Sequence, residues 1–142
     1  RVFFMEENMV YINEETLNCS QSVFYAICKS RNKKVTYDML CMLNAINAGF
    51  GTGDICSALI GALCAIGLFI DEYEIKSLRL IFLLDFKEKF GTVNCCELSS
   101  ENCSCDDIID FCINLVNSKI PLNYISLPCP LSFALVLLFL LC

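Results

Sequence analysis

No histidine occurs in the 142 residues of this chain. Histidine is the commonest general base near neutral pH and the commonest metal ligand. Its absence excludes a Ser-His or Cys-His catalytic pair within the chain. Positive charge is also sparse: ten Lys and Arg stand against 16 Asp and Glu, giving a net charge of -6. The densest basic stretch, Lys29-Ser30-Arg31-Asn32-Lys33-Lys34, is short and reads as an interhelix loop. Without a basic stripe, no nucleic-acid partner is expected. No strong strand alternation, Asn-Gly hairpin or repeat is found, so sheet and solenoid folds have no support. No basic region followed by an apolar core and a small-residue cleavage site is seen, so no intact signal peptide is expected. A start at Arg1 suits a fragment or a processed product.

Cysteine, by contrast, is abundant, with twelve in the chain. In a secreted protein such a set reads as a disulfide framework whose pairing the sequence does not give. In a cytosolic protein it reads as redox centres or metal ligands. Many of these cysteines sit inside apolar helical patterns, where a thiol is often just a small buried hydrophobe. That placement favours a cytoplasmic setting.

The periodicity is helical almost throughout. Asn13 is expected to cap a first helix, with Glu14 and Glu15 in its first turn, reaching about Ser30. Thr36 caps a second, through Ile46, which the Gly49–Gly53 turn ends. Asp54 is expected to cap a third, Ile55 to about Phe69, apolar nearly all round and so central. A fourth covers about Glu72 to Lys89, with Gly91 as its stop. Asp106 starts a fifth, to about Ser118. The fold class is all-α, a single bundle of five or six helices over residues 1–120. In the third helix Ser57, Gly61 and Ala65 recur every four residues, as do Ala58 and Ala62, making a ridge that lets two helix backbones approach closely.

Helical geometry also sorts the cysteines. Cys56 falls in the first turn of its helix, where the helix dipole lowers a thiol pKa, and the glycine turn is expected to leave it open. The Asp54 carboxylate opposes this, so a modest depression is expected, with Cys56 the most reactive thiol. Cys64, eight residues on, lies about 12 Å along the axis, too far for a disulfide with Cys56. Cys19 and Cys28 face opposite sides of one helix. Cys105 and Cys112, seven apart, lie close to one face. Cys95, Cys96, Cys103 and Cys105 could make a zinc site, although the order CC-x6-C-x-C lacks two separated CxxC knuckles.

Four cysteine contexts stand out: Asn18-Cys19-Ser20-Gln21-Ser22-Val23; Gly49-Phe50-Gly51-Thr52-Gly53 followed by Cys56-Ser57-Ala58-Leu59-Ile60-Gly61-Ala62-Leu63; Phe90-Gly91-Thr92-Val93-Asn94-Cys95-Cys96-Glu97-Leu98; and Cys112-Ile113-Asn114-Leu115-Val116. In this order they resemble the C_GCAxxG_C_C family of redox-active proteins, small and helical with four characteristic cysteines. The chain departs from that pattern at Ser57, in place of glycine, at Cys96, in place of arginine, and in a shortened connection before Cys56. The resemblance implies one shared site of Cys19, Cys56, Cys95 and Cys112, without Cys28, Cys41, Cys64 or Cys142. Its chemistry is either thiol–disulfide exchange or electron transfer with a redox partner protein, or the binding of an iron–sulfur cluster or zinc by the same four residues. In the redox reading Cys56 is the nucleophile, Cys95 or Cys19 resolves, and Cys112 supports the site. Purely structural cysteines are the remaining alternative.

Residues 121–142 form an apolar tail. Ile120 to Cys142 carries no charged side chain, and Leu131 to Cys142 is almost unbroken apolar sequence. Twelve helical residues span about 18 Å, short of a ~30 Å hydrocarbon core, and Pro128 and Pro130 resist extension upstream. The tail reads as a closing helix, as a membrane, transporter or homodimer contact, or as a truncated terminus.

Overall fold

Asn18, rather than Asn13, opens the first long helix of the chain. A computed structural model describes residues 12–100 and 103–121. The Asn18 carboxamide accepts from the Gln21 backbone N–H at 3.0 Å, and the Gln21 side chain accepts from the Asn18 N–H at 3.0 Å. This reciprocal cap satisfies two helix-end donors at once and so fixes the start of α1, Cys19–Ser30. Asn13 caps only the single turn Glu14–Thr16.

Thr36 starts α2, Tyr37–Met42, as expected, but a short 3₁₀ turn at Asn44–Ile46 replaces its last part. The third helix, α3, covers Ser57–Ile66, so Ile55 and Cys56 precede it and Gly67 to Phe69 follow in a turn. Asp71 caps α4, Glu72–Phe90, accepting from the Tyr73 and Glu74 backbone N–H groups, and Gly91 ends it at φ 75°. A short α5, Cys95–Ser100, has no counterpart in the sequence reading. Ser104, not Asp106, caps α6, Cys105–Lys119, by accepting from the Asp106 N–H. The all-α class is thus realised with six α-helices and no strand among the described residues.

α3 is central. Seven of its residues are buried, and it packs most extensively on α1, then on α6 and α4. The small-residue ridge explains how closely: a Cβ at Gly61 would fall 2.2 Å from the Ser20 carbonyl oxygen. Within the segment from Ile55 to Phe69 the α3 face toward its neighbours is buried, while Ile55, Cys64 and Leu68 are exposed. On the other side of α6, Phe86 and Phe90 of α4 meet Phe111, with ring centroids 4.9 to 6.1 Å apart. Lys119 and Asp85 pair at 2.7 Å across the same seam.

Polar side chains of the first cysteine context tie α2 to α1. Gln21 Nε2 donates to the Leu40 carbonyl at 2.8 Å and to Asn44 Oδ1 at 2.7 Å, while the Ser20 hydroxyl reaches the Leu43 carbonyl at 3.1 Å. Arg31 closes the opposite end of α1. Its guanidinium donates to Asn117 Oδ1 and the Ile120 carbonyl and lies over the Phe69 ring. The basic stretch is therefore in part a structural clamp. No helix among the described residues is long and apolar enough to cross a membrane. The tail expectations for residues 122–142, and Cys142 with them, lie outside the described residues.

Candidate functional site

Four cysteines stand at helix starts around one cavity. Cys19 is the first residue of α1, Cys56 occupies the N-cap of α3, Cys95 opens α5 and Cys105 opens α6. Together with Cys103 they line a cavity of about 230 Å³, completed by Asn47 and Ala48 and by apolar residues such as Leu98 and Ile108.

Backbone bonds bring Cys56 and Cys95 side by side. Ile55 and Asn94 form an isolated antiparallel bridge. On either side of it the Cys56 N–H donates to the Val93 carbonyl at 2.8 Å and the Cys95 N–H to the Asp54 carbonyl at 2.6 Å. The glycine turn makes room for this. Gly49 adopts φ +61°, and a Cβ there would meet the Asp54 backbone at 2.7 Å and the Cys95 Cβ at 3.0 Å. The turn is anchored on α3 by Ser57, whose buried hydroxyl accepts from the Gly49 N–H at 3.0 Å and donates to the Ile46 carbonyl. The serine that stands in place of the family glycine therefore has a local purpose.

Asp54 does not cap α3. Its carboxylate accepts from the Thr52 hydroxyl at 2.7 Å, inside the turn. Glu97 is fixed similarly across the α5 start: it accepts from Thr92 and from Asn94 Nδ2, and these bonds hold its carboxyl below the usual value.

Burial dominates the thiols. Cys56 is only 5% exposed, so the glycine turn does not leave it open. Burial raises its pKa, the backbone amides of Leu59 and Ala58 pull it back, and the neighbouring Cys95 and Cys105 push it up again. The expected modest depression is corrected: loss of water outweighs the helix start. Cys19 rises to about 11, first by burial, then through Cys105, with which it shares a hydrogen bond, and through Cys56 and Cys95. Cys95 is raised by burial, Cys105 and Cys96.

Cys112 does not line the cavity. It is fully buried in α6, strongly raised by burial, and close enough to Cys56 to feel its charge. Cys19, Cys56 and Cys95 thus come together directly and Cys112 backs Cys56. Cys28, Cys41 and Cys64 are not among the lining residues. Cys103 and Cys105 are the members that sequence reasoning left out of the shared site. For Cys105 the available signal was its seven-residue spacing from Cys112, which puts both near one face of α6, and both interact with Cys56.

All ten described cysteines are free thiols. Among the described residues no three Cys, Asp or Glu side chains are arranged to hold a metal ion, and this includes the Cys95, Cys96, Cys103 and Cys105 set. Cys96 is exposed and lies against Gly53 rather than in the cavity.

No curated protein and no solved structure matches the chain. Residues 17–119 do match a family, and they contain every helix start around the cavity. The chain belongs to the family described as "Putative redox-active protein (C_GCAxxG_C_C)".

Proposed function

We propose that this protein carries out thiol–disulfide redox chemistry at the cysteine-lined cavity, with Cys56 and Cys95 as the inner reacting pair. The observation that carries the reading is the convergence of five cysteines on one small, largely apolar cavity, where Cys19, Cys56, Cys95 and Cys105 influence one another. Thiols in such a place have no packing need to be near each other, since any small apolar residue would fill the space.

Cys56 attacks as the thiolate, at the start of α3, and Cys95 supplies the second sulfur. Oxidation joins the two sulfurs and releases two protons and two electrons to a disulfide-bearing partner protein, which becomes a dithiol. Cys112, behind Cys56, positions it and does not exchange directly. Cys19 serves as the alternative resolving thiol. The raised pKa values make the reduced form slow to react at neutral pH, which suits a protein engaged by a specific partner.

The test is anaerobic purification followed by metal analysis, an absorption spectrum and a free-thiol count. A thiol titre that falls by two on mild oxidation and recovers on reduction, without bound metal, is expected. Iron and sulfide with a visible charge-transfer band would instead select a cluster held by Cys19, Cys56, Cys95 and Cys112. Zinc without colour would select a thiolate metal site, and an unchanging titre would select structural cysteines.

A further inference from the structure

The reacting pair proposed above has an access problem. Cys56 is almost wholly buried and Cys112 fully so, while Cys19 and Cys95 are half-buried. A partner disulfide must bring its sulfur within bonding distance of an attacking thiolate, along the S–S axis. Of the thiols lining the cavity, Cys105 alone is exposed. It opens α6 and lines the same cavity as Cys19, close enough for the two thiols to influence each other. Cys103 lines the same cavity two residues away and is half-buried. Neither Cys103 nor Cys105 belongs to the four cysteine contexts of the family pattern.

We infer that Cys105 and Cys19 form a second, outer dithiol through which oxidising equivalents enter, feeding the inner Cys56 and Cys95 pair. This rests on the proposed thiol–disulfide function and deepens it by assigning the point of entry. The Cys105 thiolate attacks one sulfur of a substrate disulfide, forming a mixed disulfide and expelling one substrate thiolate, which takes up a proton. The Cys19 thiol loses its proton and attacks Cys105 Sγ, expelling the second substrate thiolate. The outer pair is now a disulfide and the substrate a dithiol. Two further exchanges carry the bridge inward. Cys56 attacks Cys19 Sγ and frees Cys105, then Cys95 attacks Cys56 Sγ and frees Cys19. The net result is an inner disulfide and an outer dithiol, with two protons passed on and no outside reductant needed. The electrostatic influence of both Cys95 and Cys105 on Cys56 fits this order of contacts.

The test uses oxidised glutathione as the substrate disulfide on the reduced full-length chain, with timed acid quenching, alkylation and peptide mass mapping. In the wild type the first bridge is expected to be Cys19–Cys105, followed by Cys56–Cys95. Cys19→Ser should trap a glutathionyl adduct on Cys105, and Cys105→Ser should slow formation of the inner bridge by roughly tenfold or more. Cys64→Ser, at an exposed position outside the cavity, should leave the rate unchanged. An inner bridge that forms at the wild-type rate in Cys105→Ser overturns the entry role while leaving the proposed function standing. Glutathione adducts on exposed thiols with no bridge between any two cavity cysteines would sink both.

Discussion

Ser57 and Gly61 show how much one atom matters around this site. Ser57 gives its hydroxyl to a turn that would otherwise lose the partner of the buried Gly49 N–H and one bond to the part-buried Ile46 carbonyl. Ser57→Ala should therefore destabilise the protein by about 1–3 kcal/mol, and urea unfolding checks this. Ser57→Gly restores the residue of the family pattern but has the same missing bonds, so it should cost as much or more. Gly61 has no room for a methyl group against the Ser20 carbonyl. Gly61→Ala is expected to push α1 from α3 and lower stability by about 1–3 kcal/mol, with a correspondingly lower Tm. Because Cys19 adjoins Ser20, the same variant should also change the alkylation rate of Cys19. An unchanged Tm would mean that the helices separate without cost.

The ionisation of Cys56 gives a kinetic prediction at the same scale. Its pKa stands above the ordinary value of 9.0, with burial as the main cause. A thiolate is the reacting species, so the rate of Cys56 alkylation should still be climbing between about pH 8 and pH 10. A rate that levels off near neutral pH would show a depressed pKa and would return the helix dipole to the dominant role.

Among the elements, the helices other than α5 were legible because their signals are local. The third helix is marked by unbroken apolarity, α4 by its Gly91 stop, and α2 by Thr36. The errors fell where two caps compete. Asn13 and Asn18 both precede helical sequence, but only Asn18 has Gln21 three residues on to complete the reciprocal cap. Asp54 precedes α3 by too many residues, because Ile55 and Cys56 are drawn into backbone bonds with residues 93–94, a long-range pairing that no local pattern encodes. The same pairing starts the short α5, whose six residues give too little periodicity to be seen. Of the site, Cys19, Cys56 and Cys95 could be read from their contexts. Cys105 had only its seven-residue spacing from Cys112 as a signal, since its place beside Cys19 depends on how α6 docks on α1. The cap prediction follows: Asn18→Ala should cost about 1 kcal/mol, whereas Asn13→Ala should be close to neutral by thermal unfolding. Equal losses would contradict the assignment.

For the molecule as a whole, buried thiols tie stability to pH. Cys28 is fully buried and its pKa is raised to about 11, while Cys19 reaches the same range. In the unfolded chain these thiols ionise near their ordinary value of 9.0. Below that pH both states hold their protons and stability is full. Above it the unfolded state sheds protons first and is favoured, so stability falls as pH rises from about 9 towards 11. A fully buried thiol such as Cys28 costs on the order of 1 kcal/mol at about pH 10. Urea midpoints under reducing conditions should drop over this range, and Cys28→Ala should make the drop shallower. A flat profile would mean that these thiols are as easily ionised in the fold as outside it.

The central claim, that the cavity cysteines are a reversible dithiol site, is tested most directly by a redox titration. The protein is equilibrated in buffers of varied reduced-to-oxidised glutathione ratio, free thiols are alkylated, and intact mass is read at each ratio. The account predicts a reversible transition in which two alkylation sites disappear together, mapping to cysteines of the cavity. A mass that stays constant across the whole range, with the protein still folded, would contradict it.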